Sequence, residues 1–232
     1  HLVVGRERHH DDFDQIPGIT IHVCPHLERS IRPIKDLRSL LWFARLIRRE
    51  QYDIVHTHET KASLIGRVAA RMAGGPYVIY GLHGVSFNDP VSALRRWVYR
   101  FAESVTIGAA DRVVSVSQDA IEHYHRADIG NDLPADVVYS GIELEDFVGR
   151  DLSEAGLQTR ERFGLTADDL VYVNVGRFSD AKAQRFTIEA FARVSQKHAR
   201  ARLLLVGEGP ERETCEQQCR DLNISDRVVF TG

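Results

Sequence analysis

Arg177 and Lys182 are the residues whose types and spacing promise the most chemistry. The run Val171-Tyr172-Val173-Asn174-Val175 reads as a buried strand that stops at Gly176 and presents Arg177. A helix is expected to open at Ser179 or Asp180, with Lys182 in its first turn. Free N–H groups and the helix dipole favour an anion at such a start. A guanidinium grips phosphate oxygens in pairs, and a sheltered charge-assisted hydrogen bond contributes about 1.5–3 kcal/mol. Cations at a helix N-terminus are unfavourable by ~0.3–1 kcal/mol when no anion sits there. The spacing therefore predicts a diphosphate site at Gly176, Arg177 and Lys182. The bland alternative is a solvated Arg and Lys around a helix start.

A second strand end, Leu203-Leu204-Leu205-Val206, runs into Gly207-Glu208-Gly209-Pro210. Its glycines allow close backbone approach, and Pro210 suits a first helical position. The third glycine of a dinucleotide fingerprint is missing, since Glu211 and Arg212 come next. A plain strand–helix connection explains this turn equally well.

Histidines mark the first half. His56 and His58 stand at strand spacing on one face, and His83 lies in Gly81-Leu82-His83-Gly84. Imidazoles at the carboxyl ends of parallel strands point toward the crevice where such sheets bind ligands. They either touch a substrate or ligate a metal, for which Glu59 is the obvious further ligand. Simple hydrogen bonding to loops explains His56 and His58 as well; for His83 a functional role is the better reading. Asp12-Phe13-Asp14 has the shape of a metal-binding DxD, but its polar surroundings favour a solvated loop. Cys215 and Cys219 share a helix face without a histidine and read as buried thiols.

Elements that position these groups follow from periodicity. Apolar runs at 1–5, 19–23, 53–56, 77–80, 112–116 and 136–139 alternate with helix-like segments at 34–50, 61–72, 91–109 and 118–125. Asp89-Pro90 supplies a turn before the third of these helices. The pattern loosens at 141–156 and then resumes: helix 154–163, strand 170–176, helix 180–197, strand 201–207, helix 210–222 and strand 227–231. Alternation of this kind implies α/β units with parallel sheets covered on both faces. Domains are expected at 1–150 and 151–232, the second holding only three strands and reading as truncated. His1 in place of a methionine suggests an excerpt of a longer protein.

Composition narrows the class. The 232 residues are 43% hydrophobic and 27% charged, which excludes disorder and fibres. A net charge of -3 and a pI near 6.4 argue against a dedicated nucleic-acid binder. Three cysteines and no apolar run of membrane-spanning length point to a reducing cytoplasm. Two helices mix Leu, Trp and Phe with arginine: 35–49, and the segment 94–101 with Arg95, Arg96, Trp97 and Arg100. A core-facing stripe with a solvated basic face is the favoured reading of both; docking on anionic lipid is the other.

The residues Val55-His56-Thr57-His58-Glu59-Thr60-Lys61-Ala62-Ser63-Leu64-Ile65-Gly66-Arg67 resemble the HTH–x–x–KAG–x–x–GR stretch of family 4-type retaining glycosyltransferases. Leu82-His83-Gly84, Val114-Ser115-Val116-Ser117, Tyr139-Ser140-Gly141-Ile142-Glu143 and Gly176-Arg177-Phe178 fit in order, as do 204–210 and 229–232. The series covers nearly the whole chain.

This resemblance implies the GT-B architecture: two Rossmann-like domains facing across a cleft, the second truncated here. It implies sugar transfer from a nucleotide-sugar with retention, and neither a metal nor a cofactor. Arg177 and Lys182, with Gly176, would bind the donor diphosphate, while Gly207, Glu208 and Gly209 would lie near the nucleotide. His83, near the transferred sugar, becomes the catalytic candidate, and His58 and Lys61 fall on the acceptor side. The expected partners are a nucleotide-sugar and a saccharide or lipid-linked acceptor of bacterial cell-surface polysaccharide synthesis, with no nucleic acid. The expected place is the cytoplasm, with peripheral contact at the inner face of the plasma membrane left open.

Two departures concern the family's glycine-rich loop, expected upstream of His1, and its paired-glutamate motif, expected beyond Gly232. Taken alone, the stretch is expected to be inactive. Where many relatives carry glycine after the phosphate lysine, this chain has Ala183. Rival classes remain: a metal-dependent hydrolase using His56, His58 and His83, a nucleotide-binding module without catalysis, and a nucleotide-sugar epimerase.

Overall fold

The computed structural model of the protein describes residues 1–6, 13, 16–28, 30–85, 87, 92–149, 151 and 153–232. Asp12, Asp14, Asp89 and Pro90 lie outside these, and with them the DxD stretch and the Asp-Pro turn. The chain divides into two compact units, His1–Gly141 and Ile142–Gly232.

In the first unit, β1 (Leu2–Gly5) and β2 (Ile21–Cys24) form a parallel pair. A separate four-stranded parallel sheet follows the order β3 (Ile54–His58), β4 (Tyr77–Leu82), β5 (Arg112–Ser115), β6 (Ala135–Val137). Helix α1 (Pro33–Glu50) starts on a proline, and the Asp36 carboxylate accepts the Arg32 N–H at 2.9 Å. Arg48 and Arg49 close its last turn, where cations suit the dipole. Helix α2 (Thr60–Ala73) packs beside α1 and leads into β4. Helices α3 (Ala93–Thr106) and α4 (Gln118–Arg126) are each capped by a serine, Ser92 and Ser117. Phe43, Ile47, Val78, Tyr80, Leu82 and Tyr124 anchor the core, which Cys24 joins from β2.

One orientation reverses the expectation. The apolar stripe of α3 faces outward, and the buried residue of this helix is Glu103. Its carboxylate pairs with the equally buried Arg67 of α2 at 2.8 Å. The inward side thus carries a hydrogen-bonded charge pair, with half-buried Tyr99 packed against the core one turn before it.

The second unit contains α5 (Ser153–Arg162), β7 (Leu170–Val175), α6 (Gln184–Lys197), β8 (Ala201–Val206), α7 (Arg212–Asp221) and β9 (Val228–Thr231). Its sheet is parallel throughout, in the order β7–β8–β9. Phe178, Ile188, Phe191, Leu203, Leu205 and Val228 form the centre of its core. Cys215 and Cys219 are buried free thiols on α7, as the sequence suggested. Burial pushes both up, Cys219 to about 11, so they stay protonated and unreactive near neutral pH. Among the described residues, no helix is long and apolar enough to cross a membrane.

Candidate functional site

Strand β7 delivers Gly176 and Arg177 at its carboxyl end. The ladder continues past the strands: Gly176 N–H donates to the Val206 carbonyl at 2.9 Å, and Phe178 N–H to the Glu208 carbonyl at 3.0 Å. Between these bonds the two turns nearly touch. A Cβ on Gly207 would lie 2.4 Å from the Gly176 carbonyl oxygen, and one on Gly209 2.2 Å from that of Phe178. Phe178 is fully buried and packs against Phe230, with ring centroids 5.8 Å apart. The glycines at 207 and 209, weak as a motif, are thus what allows the two strand ends to meet. Gly176, Arg177, Lys182, Gly207, Glu208 and Gly209 occupy one end of one sheet.

The helix start differs from the expected one. Helix α6 opens at Gln184, so Lys182 lies in the turn before it, with Lys182 and Ala183 N–H groups both donating to the Ser179 carbonyl at 3.0 Å. The cause is Ala183, the N-cap residue, which is left-handed at φ 52° and ψ 41° and breaks the right-handed run. Asp180, one of the expected helix openers, instead pairs with Arg185 at 2.5 Å. The left-handed well costs a non-glycine residue roughly 1–2 kcal/mol. Ala183→Gly is therefore expected to stabilise the chain by about 0.5–1 kcal/mol after the extra unfolded-state entropy of glycine is subtracted. A urea melt in which Ala183→Gly unfolds earlier than wild type would disprove the strain.

Arg177 and Lys182 are both exposed, and among the described residues no carboxylate pairs with either. The Lys182 stem lies along Gly176, 3.9 Å from where a Cβ would stand. Glu208, in contrast, is already engaged by Arg212, which also reaches Glu216 at 3.0 Å. Sequence reasoning missed Gln184. Its buried amide donates to the carbonyls of Arg177 at 3.0 Å and Gly176 at 3.4 Å, tying the cation-bearing turn to α6. A glutamine at the start of a helix carries no signal of this in the sequence.

The first unit brings its histidines together. His56 and His58 stack at 4.1 Å between centroids, and His58 Nδ1 lies 2.7 Å from His83 Nε2. Gly81 leaves room for the His58 ring, since a Cβ there would meet His58 Nδ1 at 2.7 Å. Burial, then neighbouring imidazoles, hold His56 and His58 below the usual histidine range, so both are neutral at pH 7. The residue after them, Glu59, sits at φ 66°, a second strained turn in front of a helix. Among the described residues, no three His, Cys, Asp or Glu side chains are grouped to hold a metal ion. The hydrolase reading therefore lacks its ligand set there.

Lys61 has a different occupation from the expected one. Its ammonium donates to the carbonyls of Glu28 at 2.8 Å and Ser30 at 2.6 Å and pairs with Asp36 at 2.5 Å. Three oxygens take the three N–H groups of a lysine, leaving none for an acceptor. Lys61 pins the segment ahead of α1.

Residues 1–141 match the family described as glycosyl transferase 4-like domain, and residues 157–232 match glycosyl transferases group 1. An Escherichia coli UDP-Gal:alpha-D-GlcNAc-diphosphoundecaprenol alpha-1,3-galactosyltransferase is 28% identical over 211 residues, 90% of this chain and 54% of the relative. N-acetyl-alpha-D-glucosaminyl L-malate synthase of Bacillus anthracis is 28% identical over 224 residues, 93% of this chain and 55% of its own length. The chain thus spans about half the length of these curated relatives. Among solved structures, Anabaena Alr3699/HepE in complex with UDP and glucose superposes with a TM-score of 0.76 at 20% identity, covering 98% of this chain and 60% of that one. That likeness shows the fold class, GT-B, which the sequence had implied. With a matching family over most of its length, the chain belongs to the glycosyl transferase 4-like family, its second unit carrying the group 1 domain.

Proposed function

We propose that the protein carrying this chain is a retaining glycosyltransferase that moves a sugar from a UDP-sugar to a lipid-linked saccharide in bacterial cell-surface polysaccharide synthesis. One observation carries the reading: Arg177 and Lys182 stand exposed at the carboxyl end of β7, just ahead of the α6 N-terminus, with no carboxylate partner among the described residues. The choice of UDP and of a diphosphopolyprenol-linked acceptor follows the Escherichia coli relative, and UDP is also bound in the Anabaena structure. Capsular polysaccharide glycosyltransferase CapM of Staphylococcus aureus, 26% identical over 200 residues, supports the same setting.

The reaction breaks the bond between the anomeric carbon and the diphosphate oxygen of the donor, through an oxocarbenium-like transition state. Negative charge grows on the departing diphosphate, and a fixed guanidinium and ammonium stabilise it there more than in the bound donor. Gln184 holds the Arg177 carbonyl and so restricts the turn before substrate arrives. His83 lies at a strand end of the first unit, with the neutral His58 against its Nε2. It serves on the sugar side of the reaction, and no metal or cofactor takes part.

Arg177→Ala in the complete enzyme is expected to lower kcat/KM for the UDP-sugar about 10–100-fold, or ~1.4–2.7 kcal/mol. Isothermal titration with UDP should show a parallel loss. Donor kinetics equal to wild type would eliminate the phosphate role, and with it this reading.

A further inference from the structure

His58 ends β3 and His83 follows the end of β4, with 2.7 Å between His58 Nδ1 and His83 Nε2. The parallel register sets His58 opposite Gly81, two residues before His83, and so brings the rings together. His58 is seated as well as bonded. Its ring lies over Gly81, whose missing side chain makes the room, and stacks on His56 at 4.1 Å between centroids. Burial, then the imidazoles of His56 and His83, hold His58 below the usual histidine range against the opposite pull of Glu59. A neutral ring has one N–H and one bare nitrogen, and the bond between the two histidines holds one hydrogen. With both rings neutral, two arrangements satisfy it. If His83 Nε2–H donates, each ring carries its proton on Nε2, the tautomer that neutral histidine favours. The reverse direction puts both rings in the disfavoured Nδ1–H form.

We propose that His58 is a positioning residue for His83. It accepts the His83 Nε2–H, fixes the rotation and tautomer of that ring, and leaves His83 Nδ1 as a lone pair for a hydroxyl of the transferred sugar. Among the described residues, His83 Nδ1 has no hydrogen-bond partner, so it is the nitrogen left for substrate. Holding one ring nitrogen sets what the other presents. The device matters here because His83 is exposed and Gly84 follows it, so packing alone does not fix the imidazole. A ring held before substrate arrives loses no further freedom in the transition state. His58 thereby takes a different part from the acceptor contact that the sequence suggested, since its Nδ1 is already occupied. This assignment rests on the proposed transfer reaction, in which His83 acts on the sugar side.

The test is steady-state sugar transfer by the complete enzyme, with UDP-sugar and acceptor varied separately. His58→Phe keeps a ring over Gly81 but offers no nitrogen. It is expected to lower kcat about tenfold while both KM values stay within about twofold, the scale of one lost neutral hydrogen bond. His58→Asn, whose amide oxygen stands where Nδ1 stood, should recover most of the rate. Both variants should melt with wild type. Nitrogen NMR of histidine-labelled complete protein reads the tautomer without turnover. His83 should carry its proton on Nε2 in wild type and His58→Asn, and exchange between both tautomers in His58→Phe. Wild-type kcat in His58→Phe would overturn the proposal, as would His58→Asn recovering nothing. A raised acceptor KM as the sole effect would instead make His58 an acceptor contact. A His83 proton on Nδ1 in wild type would also refute the arrangement. A wild-type protein that transfers no sugar defeats the transferase reading, and the NMR tautomer then still decides the His58–His83 bond by itself.

Discussion

Glu103→Ala is expected to destabilise the protein by about 3–5 kcal/mol, the loss seen when one partner of a buried ion pair is removed. Both Glu103 and Arg67 are fully buried. The Arg67 guanidinium donates to Glu103 at 2.8 Å and to the Thr106 hydroxyl at 3.0 Å, and lies 4.1 Å from the centre of the Tyr80 ring. Its Nε and Nη1 have no hydrogen-bond partner among the described residues. Alanine at 103 therefore leaves a charge in the core whose chief compensation is gone. The double variant Arg67→Met/Glu103→Leu is expected to be near wild type, because desolvation of both ions is avoided and the volume stays filled. Urea unfolding of the single and double variants forms a cycle with a large coupling energy. A Glu103→Ala variant within about 1 kcal/mol of wild type would refute the argument.

The same cluster sets an alkaline limit. Burial raises the Tyr80 hydroxyl from its ordinary value near 10 to about 12, and the Glu103 charge adds to the shift. Tyr124, whose hydroxyl lies 3.0 Å from that of Tyr80, is pushed up as well. A raised pKa in the folded state contributes stability that is complete below the unfolded value and lost as pH climbs between the two. The cluster's contribution should thus decline from the ordinary tyrosine range upward.

Glu103 also explains what the sequence did and did not reveal. Strand–helix alternation was legible because each buried strand and amphipathic helix repeats its period within a few residues, and α1 does bury Phe43, Leu46 and Ile47 as that period requires. The same rule misdirected α3, because its orientation depends on Arg67, a partner 36 positions earlier on another helix. Periodicity carries no record of such a pair. Lys61 was misread for a related reason: two of its three partners are backbone carbonyls, which any residue type supplies. At the α6 start, the expected right-handed turn from Ser179 gave way to a left-handed alanine, which propensity alone disfavours. Strain at Glu59 and at Ala183 falls at one β-to-α turn in each unit, after the His56–His58 strand in the first and beside Lys182 in the second. The place of Arg177 just past the end of β7 was legible, since the apolar run stops at Gly176.

Gly207→Ala is expected to cost about 3–5 kcal/mol, combining a backbone conformation closed to side chains with an unrelieved clash. Gly207 has φ 134°, and its added Cβ would stand 2.4 Å from the Gly176 carbonyl oxygen and 3.0 Å from its carbon. The obstacle is backbone already fixed from both sides. Gly176 N–H is bonded to Val206, and Gly207 N–H donates to the Thr231 carbonyl at 2.9 Å, so neither strand can shift without breaking the ladder. Relief by displacement would move Gly176 and with it Arg177, so UDP affinity should fall together with stability. Gly156, in the middle of α5 with nothing within 4 Å of its Cβ position, provides the contrast. Gly156→Ala should leave UDP binding unchanged and stabilise the chain by up to ~1 kcal/mol, since alanine is the better helix former. Thermal melts and UDP titrations of the two variants separate the cases. If Gly207→Ala melts with wild type and binds UDP normally, the close meeting of the β7 and β8 turns is not what sets Arg177 in place.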